Sequence, residues 1–331
     1  MKLLIDGVWY SIPPDTLKSR AAASRKFSLP FCNYVTADGS SGFKAESDRY
    51  HLYVSYACPW AHRTILLRKL KKLEDVISMS VLDPDWGSPN GWVFTNRPDC
   101  TPDIVNGCEY LHQVYTLAKP DYTGKVTVPV LWDKRLRTIV NNESADIIRM
   151  LNSEFDAFGD ASVDFYQQTL RAEIDRMNAF VLERVNAGVY RAGFASSQAA
   201  YDLAVDSLFD ALDSLNEHLH HNRYLVGNRL TEADLRLFVT LVRFDVVYYG
   251  ALNCNLRPLV DYPNLWEYTR RIYHISGVTE TVKLDHIKRH YYDTYEGIIN
   301  RRIVPKGPLI DFGSSPAPET QLAGIHYSNP N

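Results

Sequence analysis

The chain has 331 residues, of which 45% are apolar and 23% charged, and its formal net charge is −3. These values fit a globular protein of one large or two ordinary domains and exclude a disordered chain. They also exclude a strongly basic nucleic-acid binder and a protein held to anionic membranes by charge. No stretch reaches the roughly 18 apolar residues of a membrane span. The opening Met1–Asp15 segment lacks the apolar run of a signal peptide, so a cytoplasmic location is expected. Cys32, Cys58, Cys100, Cys108 and Cys254 form an odd, sparse set. Such a set is no disulfide framework and suits a reducing compartment. No C-x-x-C pair or Cys/His cluster has zinc spacing, so no metal is expected.

Residues 1–45 read as an irregular extension, with Pro13-Pro14, a basic stretch from Lys18 to Lys26, and Gly39 to Gly42. Tyr50 to Tyr56 alternates and is rich in aromatic and β-branched residues, which predicts a strand. Pro59 suits a first helical turn. Ile65, Leu66, Leu67 and Leu70 then mark an amphipathic helix over 61–72. A second strand is predicted over 76–82, so strand, helix and strand form a parallel pair with a right-handed crossover. Asp83 to Tyr122 is full of Pro, Gly, Asn and Asp and reads as a long loop, of a length that is usually either functional or disordered. Val126–Trp132 and Leu136–Val140 predict a hairpin, and a helix follows over 143–151. That order is the thioredoxin order. From Asp164 onward the pattern is helical, with segments at 164–187, 197–221, 232–247, 262–274 and 278–286. Thr231-Glu-Ala-Asp234 reads as a capping box. The expected fold is a thioredoxin-like N-terminal domain with an all-helical C-terminal domain. The expected boundaries are 1–45 for the extension, 46–155, 160–300, and 301–331 for a proline-rich tail.

Cys58, in Ala57-Cys-Pro-Trp-Ala61, falls at the junction of the first strand and helix. Free N–H groups and the positive dipole end at a helix start stabilise a thiolate. A merely packed cysteine is the alternative, and the following proline at such a junction disfavours it. Three residues on stands Ala61, not a resolving cysteine. A disulfide made at Cys58 must therefore be opened by an outside thiol, and glutathione is the abundant one. Val128-Pro129 opens a strand that reads as central, where proline points to a cis peptide. The Val128 backbone groups would then pair with an extended peptide. An edge proline is the ordinary alternative. Asn142-Glu143-Ser144 opens a helix whose N–H groups and Ser144 hydroxyl can hold a carboxylate, while Glu143 can pair with an ammonium group. Together these describe the γ-glutamyl end of glutathione.

With these residues in place, the chain resembles the glutathione transferase superfamily, and within it the glutathionyl-hydroquinone reductases, or Xi class. The resemblance rests on Ser55 to Arg63, Asn90-Gly-Trp92, Val126 to Trp132, Asn141 to Ser144, Leu225 to Asp234 and Lys288-Arg-His-Tyr-Tyr292. It implies that Cys58 is the nucleophile and that Trp92 lies against glutathione. It adds Lys125, Val126, Thr127, Val128, Pro129, Glu143 and Ser144 as glutathione contacts. Tyr190 is implied as proton donor or acceptor, and Tyr248 and Tyr291 as tyrosines that lower the thiol pKa. Glutathione is then the co-substrate, aromatic hydroquinone conjugates are the substrates, and a homodimer with no nucleic-acid or membrane partner is expected. An omega-like thiol transferase or dehydroascorbate reductase would share Cys58 and the glutathione site. A transferase-like binding module without turnover is the third reading.

Overall fold

The computed structural model describes residues 2–11, 31–293 and 303–313. The Lys18–Lys26 stretch, Pro13-Pro14 and the end of the proline-rich tail lie outside them. The chain divides into two compact units, the first of residues 1–159 with 293–296 and the second of 160–292 with 297–331.

The first unit opens with β1 (Lys2–Ile5) and β2 (Val8–Ser11), an antiparallel hairpin across Asp6-Gly7. This corrects the irregular extension expected there. Asp-Gly between apolar runs is a strong hairpin signal, because both turn positions need positive φ. Asp6 and Gly7 adopt 48° and 76°. The main sheet contains β3 (Tyr50–Val54), β4 (Ser78–Val81), β5 (Val130–Asp133) and β6 (Thr138–Asn141) in the order β4-β3-β5-β6. The β3/β4 pair is parallel and the other two are antiparallel. Helix α1 (Pro59–Leu70) crosses from β3 to β4, and α3 (Ser144–Ser153) follows β6. Every residue of β3 and β5 is buried, so these central strands read as continuous aromatic and aliphatic runs.

Residues 83–122 are not one long loop. Leu111, Val114, Tyr115 and Ala118 have helical spacing and build α2 (Leu111–Ala118). Two buried carboxylates order the segment before it. Asp83 accepts from the Asp85 N–H (2.9 Å) and the Thr95 hydroxyl (2.9 Å). Asp103 accepts from the N–H groups of Val105, Asn106 and Cys108 and from the Tyr53 hydroxyl at 2.8–3.1 Å. Each acid thus replaces a turn's missing backbone partners.

His51 on β3 is fully buried and its Nδ1 lies 2.8 Å from the Ser78 hydroxyl. Burial lowers its pKa from 6.5 to about 4. Between those values the unfolded chain binds a proton that the folded chain refuses, so stability is lost as the pH falls. The wild type should therefore lose more stability than His51→Gln between pH 7 and pH 4.5, measured by urea midpoints. An equal loss in both would show that His51 is not the group responsible.

The second unit is helical. Its first helix, expected from residue 164, begins at Arg171, because Asp164 instead caps the Tyr166 N–H (2.8 Å) and residues 168–170 form a 3-10 turn. Helix α4 (Arg171–Phe180) passes through a π-helical turn (Val181–Asn186) into α5 (Gly188–Gly193). Helix α6 (Gln198–His221) follows, then α7 (Glu232–Arg243), which enters a second π turn (Phe244–Tyr248) and α8 (Tyr249–Ala251). Thr231 and Asp234 form the expected capping box. After α9 (Pro263–Tyr273) the helix expected at 278–286 is displaced to α10 (Leu284–Tyr292). Gly277 stands at φ 85°. The Thr279 and Thr281 hydroxyls bond back to the carbonyls of Tyr273 (2.7 Å) and Val278 (2.6 Å), which holds a 3-10 turn instead. Residues 303–313 pack on this unit, with Lys288 Nζ donating to the carbonyls of Pro305, Lys306 and Gly307 and Phe312 stacked on Tyr273. Among the described residues no helix is long and apolar enough to cross a membrane.

Candidate active site

In the first unit, Cys58 is the N-cap of α1, in extended conformation (φ −77°, ψ 121°), with Pro59 in the first turn. Its backbone closes a tight corner, donating to the Ser55 carbonyl (3.2 Å) and accepting from the His62 N–H (3.0 Å). The sulfur is partly exposed and lies 3.8 Å from the Val128 carbonyl oxygen. The Val128-Pro129 peptide is cis. Lys125 and Thr127 are exposed, whereas Val126, Val128 and Pro129 are buried. The segment thus faces solvent with alternate residues beside the thiol.

Helix α3 starts next to that segment. Exposed Glu143 caps its own helix, with Oε1 accepting from the Ala145 N–H (3.1 Å) and the Ser144 hydroxyl (3.3 Å). One oxygen is therefore committed to the helix, a use that the sequence did not suggest. Ser144 is buried, and its hydroxyl accepts from Arg63 Nη1 at 3.4 Å. Arg63 is itself buried and lies 4.5 Å over the Trp60 ring, which joins the thiol helix to α3.

Tyr115 has a second joining role. Its hydroxyl donates to the Thr127 carbonyl (2.9 Å) and accepts from the Thr127 N–H (3.3 Å) and the Asn142 amide (3.1 Å). One phenol therefore fixes the 125–128 segment against the start of α3. Burial raises its pKa, so it keeps the proton it donates. Sequence reasoning missed it by treating α2 as loop. Trp92 is buried beside Trp86 (centroids 6.3 Å apart), and its carbonyl accepts from the Leu111 N–H (3.0 Å) at the start of α2.

In the second unit, the Tyr190, Tyr248 and Tyr291 hydroxyls form a closed triangle. Tyr190 and Tyr291 are 2.6 Å apart, Tyr248 and Tyr291 3.3 Å, and Tyr190 and Tyr248 3.5 Å. Their neighbours Tyr249 and Tyr292 are absent from it. Both π turns serve this cluster, since one leads into Tyr190 and the other ends at Tyr248. Loss of water around the phenol, then its two tyrosine neighbours, pushes the Tyr190 pKa well above 10. Burial does the same for Tyr291. Both phenols are proton donors at neutral pH. Among the described residues no group of three His, Cys, Asp or Glu side chains could hold a metal ion.

The family model for the glutathione S-transferase N-terminal domain matches residues 57–154, and that for the C-terminal domain matches 198–271. The chain is 50% identical over 308 residues to glutathionyl-hydroquinone reductase PcpF of Sphingobium chlorophenolicum, covering 93% of this chain and 96% of PcpF. The chain belongs to the glutathionyl-hydroquinone reductase family. A second member, YqjG of Escherichia coli, is 49% identical, with 94% of this chain and 96% of YqjG covered. The glutathione-bound structure of YqjG superposes with a TM-score of 0.86 at 47% identity, covering 94% and 96% of the two chains. A Xi-class transferase from Natrialba magadii gives 0.89 at 46% identity, with 96% of each chain covered. Cys58, Trp92, the 125–129 segment and Glu143-Ser144 all fall inside the N-terminal match, so the glutathione-transferase half of this reductase-family chain contains them together. Tyr190 and Tyr291 fall outside the C-terminal match.

Proposed function

We propose that this chain reduces glutathionyl-hydroquinones to hydroquinones with glutathione as co-substrate. The observation that carries the proposal is a single thiol at a helix start, facing the Val128 carbonyl before cis-Pro129, with Ala61 where a resolving cysteine would stand. The names of the two full-length relatives support the substrate class.

In the first step the Cys58 thiolate attacks the sulfur of the conjugate. A Cys58–glutathione disulfide forms, the carbon–sulfur bond breaks, and its electron pair passes to the ring carbon. That carbon takes a proton, so the ring is reduced by two electrons while sulfur is oxidised. In the second step free glutathione attacks the mixed disulfide, giving oxidised glutathione and the Cys58 thiol. Glu143 and Ser144 would hold the γ-glutamyl end, the 125–128 backbone the extended peptide, and Trp92 would lie against it. Tyr190 would supply the ring proton, with Tyr248 and Tyr291 holding its hydroxyl. A homodimer in the cytoplasm fits the superfamily habit and the sparse cysteines.

A steady-state assay with glutathionyl-menadiol and glutathione tests this reading. Equal release of menadiol and oxidised glutathione is expected. Turnover of dehydroascorbate or simple mixed disulfides alone would favour an omega-like transferase, and turnover of neither a binding module. Tyr190→Phe is expected to slow hydroquinone release about 100-fold, the usual worth of a general acid. It should leave reduction of the preformed mixed disulfide unchanged, because that step protonates no carbon. Equal slowing of both steps would remove Tyr190 from the acid role.

A further inference from the structure

The hairpin of β1 and β2 grips two segments of the first unit, one that leads into the 125–128 backbone and one that ends at Trp92. It is anchored on residues 120–124. Leu4 exchanges both backbone hydrogen bonds with Gly124 (3.0 and 2.9 Å), Gly7 N–H donates to the Tyr122 carbonyl (3.0 Å), and Asp6 N–H donates to the Thr123 hydroxyl (2.8 Å). A Cβ on Gly7 would lie 1.9 Å from the Pro120 carbonyl oxygen, so the turn sits directly on this backbone. Leu3 and Leu4 are buried at 3% and 0% exposure, which makes the hairpin part of the packed unit.

From that base the hairpin reaches the 86–92 segment through two side chains. Trp9 Nε1 donates to the Pro89 carbonyl at 2.9 Å. The same indole stacks on His112 (4.7 Å, 15°), which stacks in turn on Tyr110 (5.4 Å, 6°) at the start of α2. Its Cζ2 fills the place where a Gly91 side chain would be, 2.8 Å from the Cβ position. Gly91 has φ 72°, and Trp92 is the next residue. Lys2 Nζ donates to the Trp86 carbonyl and lies 4.8 Å over the Trp86 ring, which neighbours Trp92.

We propose that the N-terminal hairpin is a positioning element of the glutathione site, and that Trp9 acts by holding Gly91 and thereby Trp92 in the orientation that meets glutathione. The inference rests on the reading of Trp92 as a glutathione contact. Trp9 touches no reacting atom in this account. Cys58 is held by its own helix corner, so its intrinsic reactivity does not depend on the hairpin.

The test titrates glutathione by calorimetry into the full chain carrying Cys58→Ser, which prevents disulfide formation. In that background Trp9→Ala should weaken Kd about fivefold, the scale of coupling carried through one packed neighbour. Trp9→Phe keeps the stack on His112 but loses the bond to Pro89. It should show a smaller loss, and it serves if the alanine variant does not fold. Trp9→Ala added to Trp92→Ala should cost almost nothing more, because the effect passes through Trp92. In protein with Cys58 intact, iodoacetamide should alkylate Cys58 at the same rate with or without Trp9, whereas a general loosening of the unit would change it. An unchanged Kd in Trp9→Ala beside a weakened one in Trp92→Ala, or full additivity of the two, overturns the inference alone. An unchanged Kd in Trp92→Ala overturns the site reading and the inference with it.

Discussion

Cys58→Ala is expected to lower turnover of a glutathionyl-hydroquinone by at least about 10⁴-fold, because among the five cysteines Cys58 alone caps a helix start beside the 125–129 segment. Ala61 offers no local thiol, and Cys254 is buried with burial raising its pKa to about 12. Burial likewise holds the Cys100 and Cys108 thiols at about 11 and 12. These thiols stay protonated at neutral pH, whereas a thiolate at Cys58 has the start of α1 to stabilise it. Cys58→Ser should fare little better, since a hydroxyl cannot form the mixed disulfide. The fold should be untouched, because the corner at Cys58 is closed by its backbone bonds to Ser55 and His62, which the substitution keeps. Progress curves of hydroquinone release with matched circular-dichroism spectra check both halves of this statement. Turnover within tenfold of wild type would place the nucleophile elsewhere.

Asp234→Ala is expected to destabilise the helical unit by about 3–5 kcal/mol, the cost of leaving several buried donors without a charged acceptor. Asp234 is fully buried. Its carboxylate accepts from the Leu225 N–H (2.9 Å), the Thr231 N–H (2.8 Å), the Thr231 hydroxyl (3.0 Å) and the Tyr268 hydroxyl (2.9 Å). The capping box therefore also ties the 225–231 loop and α9 to the start of α7. Burial raises its pKa to about 6 against the pull of these four bonds. Asp234→Asn keeps the shape but turns a donor toward a donor, and should cost about 1–3 kcal/mol. Urea midpoints with unchanged slope measure both. A midpoint in Asp234→Ala equal to that of wild type would mean that the loop and α9 are held by other contacts.

The parts of the site that could be read in the sequence are those whose chemistry is local. Cys58-Pro59, Val128-Pro129 and Glu143-Ser144 each sit at a strand end or helix start, where the residue type and the backbone conformation are linked. Thr231 and Asp234 are legible for the same reason. Tyr115 and Arg63 are different. Each acts on a partner 12 to 81 residues away, so even Arg63, inside the Ser55-to-Arg63 motif, does not reveal there that it bonds Ser144. The π turns before Tyr190 and at Tyr248 shift which side of the helix the next residue faces. Helical periodicity of 3.6 therefore could not choose between Tyr248 and Tyr249. The displaced α10 came from hydroxyl-to-carbonyl bonds at Thr279 and Thr281, a local competition that apolar spacing does not register. The N-terminal hairpin is legible in Asp6-Gly7, but Pro13-Pro14 close behind it points to irregular chain.

The central claim is that glutathione passes to Cys58 as hydroquinone leaves. It is tested most directly by mixing the full chain with one equivalent of glutathionyl-menadiol and no free glutathione. Quenched samples would be analysed for menadiol and for intact and peptide mass. The account predicts one menadiol released per active subunit, with one glutathionyl group on the peptide that contains Cys58. Menadiol released with no glutathione on the protein, or with glutathione on exposed Cys32 instead, would contradict it.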